Sequence, residues 1–200
     1  MIICITGPTF SGKHTFGKFL AEVSKGEAID ADKIAHGLYA PHTPMWEHLI
    51  ESFGKEILDD AQRIDREKLG NIVFQSKDKL AELNELVHPS LHQAIEDIIK
   101  SGNFDKPRIV VAALIKELDL RVDFVISVKC TDKKKLERAG KENVSKEWVK
   151  NTLAHQKNTE DYDFEVINNG SFEDLVKQAK DIWKSIQEEE ETYREGGGES

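Results

Sequence analysis

The chain has 200 residues, with 28 Lys plus Arg against 37 Asp plus Glu and a net charge of −9 at pH 7. That length suits one domain, or one domain with an inserted lobe. The acidic balance argues against a general nucleic-acid binder, which needs a clustered basic surface. Hydrophobic residues make up 38%, enough for a core, and no apolar run approaches the roughly 20 residues that span a bilayer.

Residues 2–6 read as a strand, apolar on both faces and therefore covered on both. The opening Met-Ile-Ile-Cys-Ile is too short for a signal-peptide core and has no basic leader, so a cytoplasmic protein is expected. Gly7-Pro8-Thr9-Phe10-Ser11-Gly12-Lys13-His14-Thr15 follows directly and leads into a helix carrying Phe16, Phe19, Leu20 and Val23. Strand, loop and helix in this order are the setting of the phosphate-binding loop G-x-x-x-x-G-K-[ST]. Gly7 and Gly12 let the backbone curl so that successive N–H groups, through Phe10 and Ser11, point at a phosphate. The helix N-terminus adds partial positive charge. Lys13 is then placed for the β- and γ-phosphates of ATP. The next position normally offers Mg²⁺ a hydroxyl; here it is His14, a nitrogen ligand poorly suited to a hard cation. Thr15 has a hydroxyl one helical position further round, so His14 and Thr15 are the candidate metal contacts.

The second strand, 27–30, ends in Asp30-Ala31-Asp32-Lys33. With period two, Asp30 and Asp32 point the same way, beyond the carboxyl end of a strand, where open α/β sheets bind ligands. Asp32 is a candidate base toward an attacking hydroxyl. It is equally a candidate N-cap for a helix over 33–38. Almost 80 residues then pass without a good strand, with apolar positions at helical spacing: Leu69, Ile72, Val73; Leu80, Leu83, Leu86, Val87; Leu91, Ile95, Ile98, Ile99. Pro89 is expected to end one helix, and Ser90 with Gln93 to cap the next. A parallel crossover needs only about a dozen residues, so this stretch reads as a helical lobe beside the sheet.

Strands over 108–113 and 124–129 follow, then charged helices over 132–141 and 145–156 separated at Gly140. A last strand over 164–167 precedes a helix starting at Ser171, with Leu175, Val176, Ala179, Ile182, Trp183 and Ile186 on one face. From Glu188 the periodicity is lost in a stretch of six acidic residues and one arginine, read as a disordered tail over 188–200. Cys4 and Cys130, far apart, read as two reduced thiols. The alternation of strands and helices gives an α/β fold with a mainly parallel sheet.

Taken together the motifs resemble the dephospho-coenzyme A kinase family. The carriers are Gly7…Gly12-Lys13, Asp30-Ala31-Asp32-Lys33-Ile34-Ala35-His36, Phe53-Gly54-x-x-Ile57-Leu58, Ile64-Asp65-Arg66-x-x-Leu69-x-x-x-Val73-Phe74 and Leu86-x-His88-Pro89. Gln156 and Ile167-Asn168-Asn169-Gly170 follow in the family's order. The resemblance implies a P-loop kinase-like, five-stranded parallel sheet flanked by helices, with an inserted helical acceptor lobe and a mobile lid. It implies γ-phosphoryl transfer from ATP to the ribose 3′-hydroxyl of dephospho-coenzyme A, with Mg²⁺. Lys13 and the loop would hold ATP, together with Arg138, Lys141 and Asn168. Asp32 would be the base, and Asp30, Arg66 and His88 would line the acceptor site. The expected organisation is one domain over 1–187, with core segments 1–32, 107–130 and 160–187, the lobe at about 40–103 and the lid at about 131–158. A small-molecule nucleotide enzyme needs neither nucleic acid nor membrane as partner, and a monomer is favoured.

Three departures bear on turnover. The family's D-x-P-L-L-F-E segment stands here as Val111-Ala112-Ala113-Leu114-Ile115-Lys116-Glu117, in which Leu114 and Glu117 match. The lid's R-x-x-x-R is represented by Arg138 and Lys141 at one residue less. The segment after Gln156, basic in the family, is acidic (Thr159-Glu160-Asp161-Tyr162-Asp163). A related kinase with another nucleotide-like acceptor, and a nucleotide-binding protein with weak or no catalysis, therefore stay open as alternatives.

Overall fold

The computed structural model describes residues 1–102, 105–113, 119–142, 144–155 and 161–196. Leu114 and Glu117, Gln156, the start of the acidic segment (Thr159 and Glu160) and the end of the expected tail (197–200) lie outside them.

Five strands, β1 (Ile2–Thr6), β2 (Glu27–Asp30), β3 (Arg108–Val111), β4 (Phe124–Lys129) and β5 (Phe164–Ile167), form one parallel sheet in the order β2-β3-β1-β4-β5. They fall where the short apolar runs predict, except that β3 stops at Val111; Ala112 still donates to the Ile5 carbonyl at 3.0 Å. Period two divides β3 between the faces. Ile109 and Val111 join Ile3, Ile5, Ile126 and Val128 beneath α1 (Lys13–Ser24) and α8 (Phe172–Gly196). Val110 and Ala112 join Ile29, Leu91 and Ile95 on the other face. Each such fully buried aliphatic side chain stabilises the fold by about 1.5–3 kcal/mol. Cys4 is fully buried, Cys130 is half-buried, and both are free thiols.

Between β2 and β3 the chain is helical: α2 (Ala31–Leu38), α3 (Pro44–Phe53), a 3-10 turn (Lys55–Ile57), α4 (Arg66–Val73) and α5 (Lys77–Ser101). Polar side chains start these helices by accepting from otherwise unpaired backbone amides. Thr43 accepts from Trp46 N at 3.2 Å, and Asp65 from Glu67 N and Lys68 N at 2.9 and 3.1 Å. The segment has its own small core of Leu49, Phe53, Ile57, Leu58, Leu69 and Val73.

Pro89 does not end a helix: α5 runs through it from Lys77 to Ser101. The first half of α5 places Leu80, Leu83, Leu86 and Val87 on the lobe's core, and the second half places Leu91, Ile95 and Ile99 against the sheet. Burial at both ends of one continuous rod outweighs the hydrogen bond that proline removes. The expected break at Gly140 is also displaced. Gly140 lies inside α6 (Asp132–Lys141), and α7 (Lys146–His155) follows. The Ser145 hydroxyl donates to Glu67 Oε1 at 2.8 Å, which brings the start of α7 to α4.

The tail is a third correction. α8 continues from Phe172 to Gly196, through the acidic run that reads as disordered from Glu188. Glutamate is a good helix former, and Lys184–Glu188 at 3.3 Å adds an i,i+4 ion pair at the junction. Among the described residues, no helix is long and apolar enough to cross a membrane.

Candidate active site at the ends of the first two strands

β1 lies at the middle of the sheet, so the loop after it emerges where the chain turns off to both sides. Gly7 (φ +145°) passes so close to the Val128 carbonyl that a Cβ would collide with it. Gly12 (φ +91°) precedes α1, and the Asn168 amide occupies the place of its missing Cβ. Phe10 also has a positive φ, 63°, held where the Ser11 amide closes a turn onto the Pro8 carbonyl at 3.0 Å. Ser11 is fully buried, and its hydroxyl has no hydrogen-bond partner. An orphaned hydroxyl at the start of a helix, where backbone donors also converge, suits a phosphate oxygen.

Lys13 is 4% exposed and makes no hydrogen bond or ion pair among the described residues. Burial pulls its pKa below the ordinary lysine value, against the attraction of Asp32 and Asp30. A cation held this way gains most from an incoming polyanion.

Arg138 and Asn168 hold the loop from outside. Arg138 Nη1 donates to the Phe10 and Ser11 carbonyls at 2.9 and 2.8 Å, and Nη2 to the Asn168 carbonyl at 3.0 Å. Asn168 Nδ2 donates to the Ser11 carbonyl at 2.9 Å. Arg138, expected on a lid, therefore has both terminal nitrogens committed to the loop backbone. Its Nη1 also approaches Cys130 Sγ at 3.4 Å.

On the other side stand the two aspartates. Asp30, and not Asp32, is the N-cap of α2: its Oδ1 accepts from Lys33 N at 3.0 Å. The helix begins at Ala31, which leaves Asp32 in its first turn with a carboxylate not used for capping. His14 lies between the pair, Nδ1 at 3.1 Å from Asp30 Oδ2 and Nε2 at 3.2 Å from Asp32 Oδ2. The Asp32 side chain is 45% exposed. Crowding by protein would raise its pKa, but the His14 hydrogen bond and the charges of Lys13, His14 and Arg66 outweigh that and hold it below the ordinary carboxylate value.

The structure thus brings Lys13, His14, Asp30, Asp32 and Arg66 into one electrostatic group, with Arg138 and Asn168 on the far side of the loop. Thr15 is half-buried in α1, with no hydrogen bond among the described residues. Lys141 is exposed at the end of α6, with no hydrogen bond or ion pair among them. His88 is half-buried within α5. Two further neighbours were not assigned to the site from the sequence, although His36 closes the Asp30–His36 motif. His36 and Tyr39 lie four and seven residues after Asp32, and both sense the charges of Arg66 and Asp32; helical spacing from Asp32 is the signal that finds them. Cys130 gave no such signal, because only the fold carries it to Phe10.

Mg²⁺, which the family resemblance implies, prefers near-octahedral oxygen ligands. The donors beside Lys13 are instead one imidazole and two carboxylates, with the ring standing where a small hydroxyl is expected. As a direct ligand set for Mg²⁺ these residues do not fit.

A lysine-bearing phosphate cradle opposite a carboxylate, across the carboxyl edge of a parallel sheet, makes this chain a P-loop kinase in fold. Solved structures agree at that level. A Thermus thermophilus protein superposes with a TM-score of 0.73 at 23% identity, covering 93% of this chain and 97% of that one. A dephospho-CoA kinase from Campylobacter jejuni superposes at 0.53 with 24% identity, covering 92% and 96%. The sequence narrows the class. The family model described as Dephospho-CoA kinase matches residues 1–174, and the chain belongs to that family of phosphotransferases. Curated dephospho-CoA kinases from Aquifex aeolicus and Fusobacterium nucleatum are each 34% identical, covering 92% and 93% of this chain and 96% and 98% of their own.

Proposed function

We propose that this chain transfers the γ-phosphoryl group of ATP to the ribose 3′-hydroxyl of dephospho-coenzyme A, the last step of coenzyme A biosynthesis. The observation that carries the reading is Asp32 set beside the buried, unpaired Lys13 at the mouth of the phosphate loop, in a chain of this family. The free N–H groups where the loop enters α1 at Gly12 and Lys13, with the Ser11 hydroxyl, bind the β-phosphate, and Lys13 neutralises the transferring group. Phosphoryl transfer asks the protein mainly for position and charge. Asp32, ionised at neutral pH, orients the acceptor hydroxyl and takes its proton onto a carboxylate oxygen as the new P–O bond forms. Arg66, whose charge reaches both Asp32 and Tyr39, faces the phosphate end of the acceptor. The helical segment from α3 to α5, with His88, forms the acceptor lobe, and α6 and α7 the lid.

Incubating the chain with ATP, a divalent cation and dephospho-coenzyme A should give ADP and a 3′-phosphorylated product. Asp32→Asn should lower turnover by about 10²–10⁴-fold, the usual scale of a lost base, while ATP binding persists. Absence of product with Mg²⁺, Mn²⁺ and Co²⁺ alike overturns the proposal. His14 against Asp32 favours one second reading, a nucleotide-binding protein of low turnover; ATP binding without product from any acceptor is its signature.

A further inference from the structure

We infer that His14 Nε2 and Asp32 Oδ2 together hold a transition-series divalent cation, Mn²⁺, Co²⁺ or Zn²⁺, beside the nucleotide phosphates, with Asp30 orienting the imidazole. The inference deepens the phosphoryl-transfer reading of this site but is independent of which acceptor is used.

Three observations carry it. Among the described residues, His14, Asp30 and Asp32 are the one group of at least three His, Cys or carboxylate side chains whose ligand atoms, one from each, all lie within 4.8 Å of one another. The separation is right for a shared ion: metal–nitrogen and metal–oxygen bonds of about 2.0–2.2 Å put adjacent ligands about 3.0–3.4 Å apart. His14 Nε2 and Asp32 Oδ2 stand at 3.2 Å, so neither side chain needs to move far. The roles of the aspartates also differ. Asp30 is pinned by its cap to Lys33 N and faces Nδ1 at 3.1 Å, while the Asp32 carboxylate has no other hydrogen bond among the described residues. A carboxylate that accepts Nδ1–H fixes the tautomer and leaves Nε2 free to ligate. Asp32 keeps its second oxygen for the acceptor hydroxyl.

An independent feature points to the ligand that completes the site. Lys13 is 4% exposed, has no hydrogen bond or ion pair among the described residues, and is drawn electrostatically to the same two aspartates. The neighbouring Ser11 hydroxyl is buried and unpartnered. Both are donors without acceptors, which places a polyphosphate next to His14 and Asp32. Its oxygens would supply the cation's remaining ligands and offset the repulsion from Lys13. Imidazole nitrogen suits Co²⁺ and Zn²⁺ far better than Mg²⁺, and Mn²⁺, which shares the oxygen preference of Mg²⁺, accepts it more readily than Mg²⁺ does. Exchange of hydroxyl for imidazole at residue 14 therefore changes which ion the loop selects.

The test is direct metal binding by the full chain in the presence of ADP, with no acceptor. Mn²⁺ affinity is read from the loss of the free-ion electron paramagnetic resonance signal, and the ligand from nitrogen coupling in pulsed measurements. The chain should show a directly bound imidazole nitrogen that His14→Ser abolishes, with Mn²⁺ affinity falling at least about tenfold and Mg²⁺ affinity not falling. Asp30→Asn, which keeps the cap acceptor but weakens the orienting bond, should cost about 10–100-fold in Mn²⁺ affinity. Thermal melts of both variants confirm folding. No nitrogen coupling in the unaltered chain, or coupling that survives His14→Ser, overturns the inference. Because no acceptor is present, such a failure is distinct from failure of the kinase reading.

Discussion

Arg138→Ala tests whether the phosphate loop is held in shape from its outer side. The substitution removes three charge-assisted hydrogen bonds, to the carbonyls of Phe10, Ser11 and Asn168 at 2.9, 2.8 and 3.0 Å. Bonds of this kind are worth about 1.5–3 kcal/mol each, but the larger cost arises when a partner is left unpaired. The Ser11 carbonyl keeps Asn168 Nδ2 at 2.9 Å, and the Phe10 carbonyl keeps the Cys130 thiol at 3.7 Å. Only the Asn168 carbonyl loses its side-chain donor outright. A net loss of about 2–4 kcal/mol is expected, which for a chain of this size lowers the melting temperature by about 5–15 °C. Phe10 sits at a positive φ and its carbonyl is one of those that Arg138 holds, so ATP affinity should fall about 10–100-fold. Urea unfolding and titration calorimetry with ATP supply the two readings. Arg138→Lys should recover little, because one ammonium cannot span three carbonyls as a planar fork does. A double-mutant cycle with Asn168→Ala should show coupling above about 0.5 kcal/mol, since both side chains meet at the Ser11 carbonyl. Unchanged ATP affinity, or strict additivity with Asn168→Ala, would refute the clamp.

Gly12→Ala forces a left-handed backbone on alanine and drives its Cβ into the Asn168 amide; ATP binding should be lost in calorimetry, whereas Gly140→Ala, with open space at its Cβ, should be silent or stabilising. Pro89→Ala restores a helical donor in the middle of α5. Proline inside a helix costs about 3 kcal/mol relative to alanine, so denaturant unfolding should show a gain of about 1–3 kcal/mol, and a loss would refute the reading that Pro89 is tolerated at a cost. Asp32 is held below its ordinary 3.8 and so binds a proton less readily folded than unfolded. Its contribution to stability is full above that ordinary value and disappears as pH falls through the lowered folded value. The stability difference between the native chain and Asp32→Asn, read by urea unfolding, should therefore change as pH falls below about 4. A difference that stays flat from pH 5 down to the acid unfolding limit contradicts this.

The sequence by itself determined the sheet, the loop and the identity of the charged residues around it. Ile2–Thr6 and Phe124–Lys129 are legible because strands covered on both faces must be apolar nearly throughout. Gly7, Gly12 and Lys13 are legible because only that spacing lets backbone and lysine close on a phosphate. Helix ends were read less well, because local signals compete with packing decided elsewhere. Pro89 looks like a stop, yet α5 has apolar surface to bury on both sides of it. Asp32 looks like a cap, yet Asp30 caps and frees Asp32 to face His14. The acidic run after Glu188 looks disordered, yet it extends a helix already nucleated by Leu175, Ala179, Ile182 and Ile186 in the core. Arg138 reads as a phosphate ligand on a lid, and only the return of α6 over the loop shows its nitrogens committed to backbone carbonyls. What tertiary structure alone decided was which polar groups face one another. Hydrophobic period and turn chemistry are local and leave a trace in the sequence, whereas the contact of His14 with Asp30 and Asp32 exists only once parallel strands align their carboxyl ends.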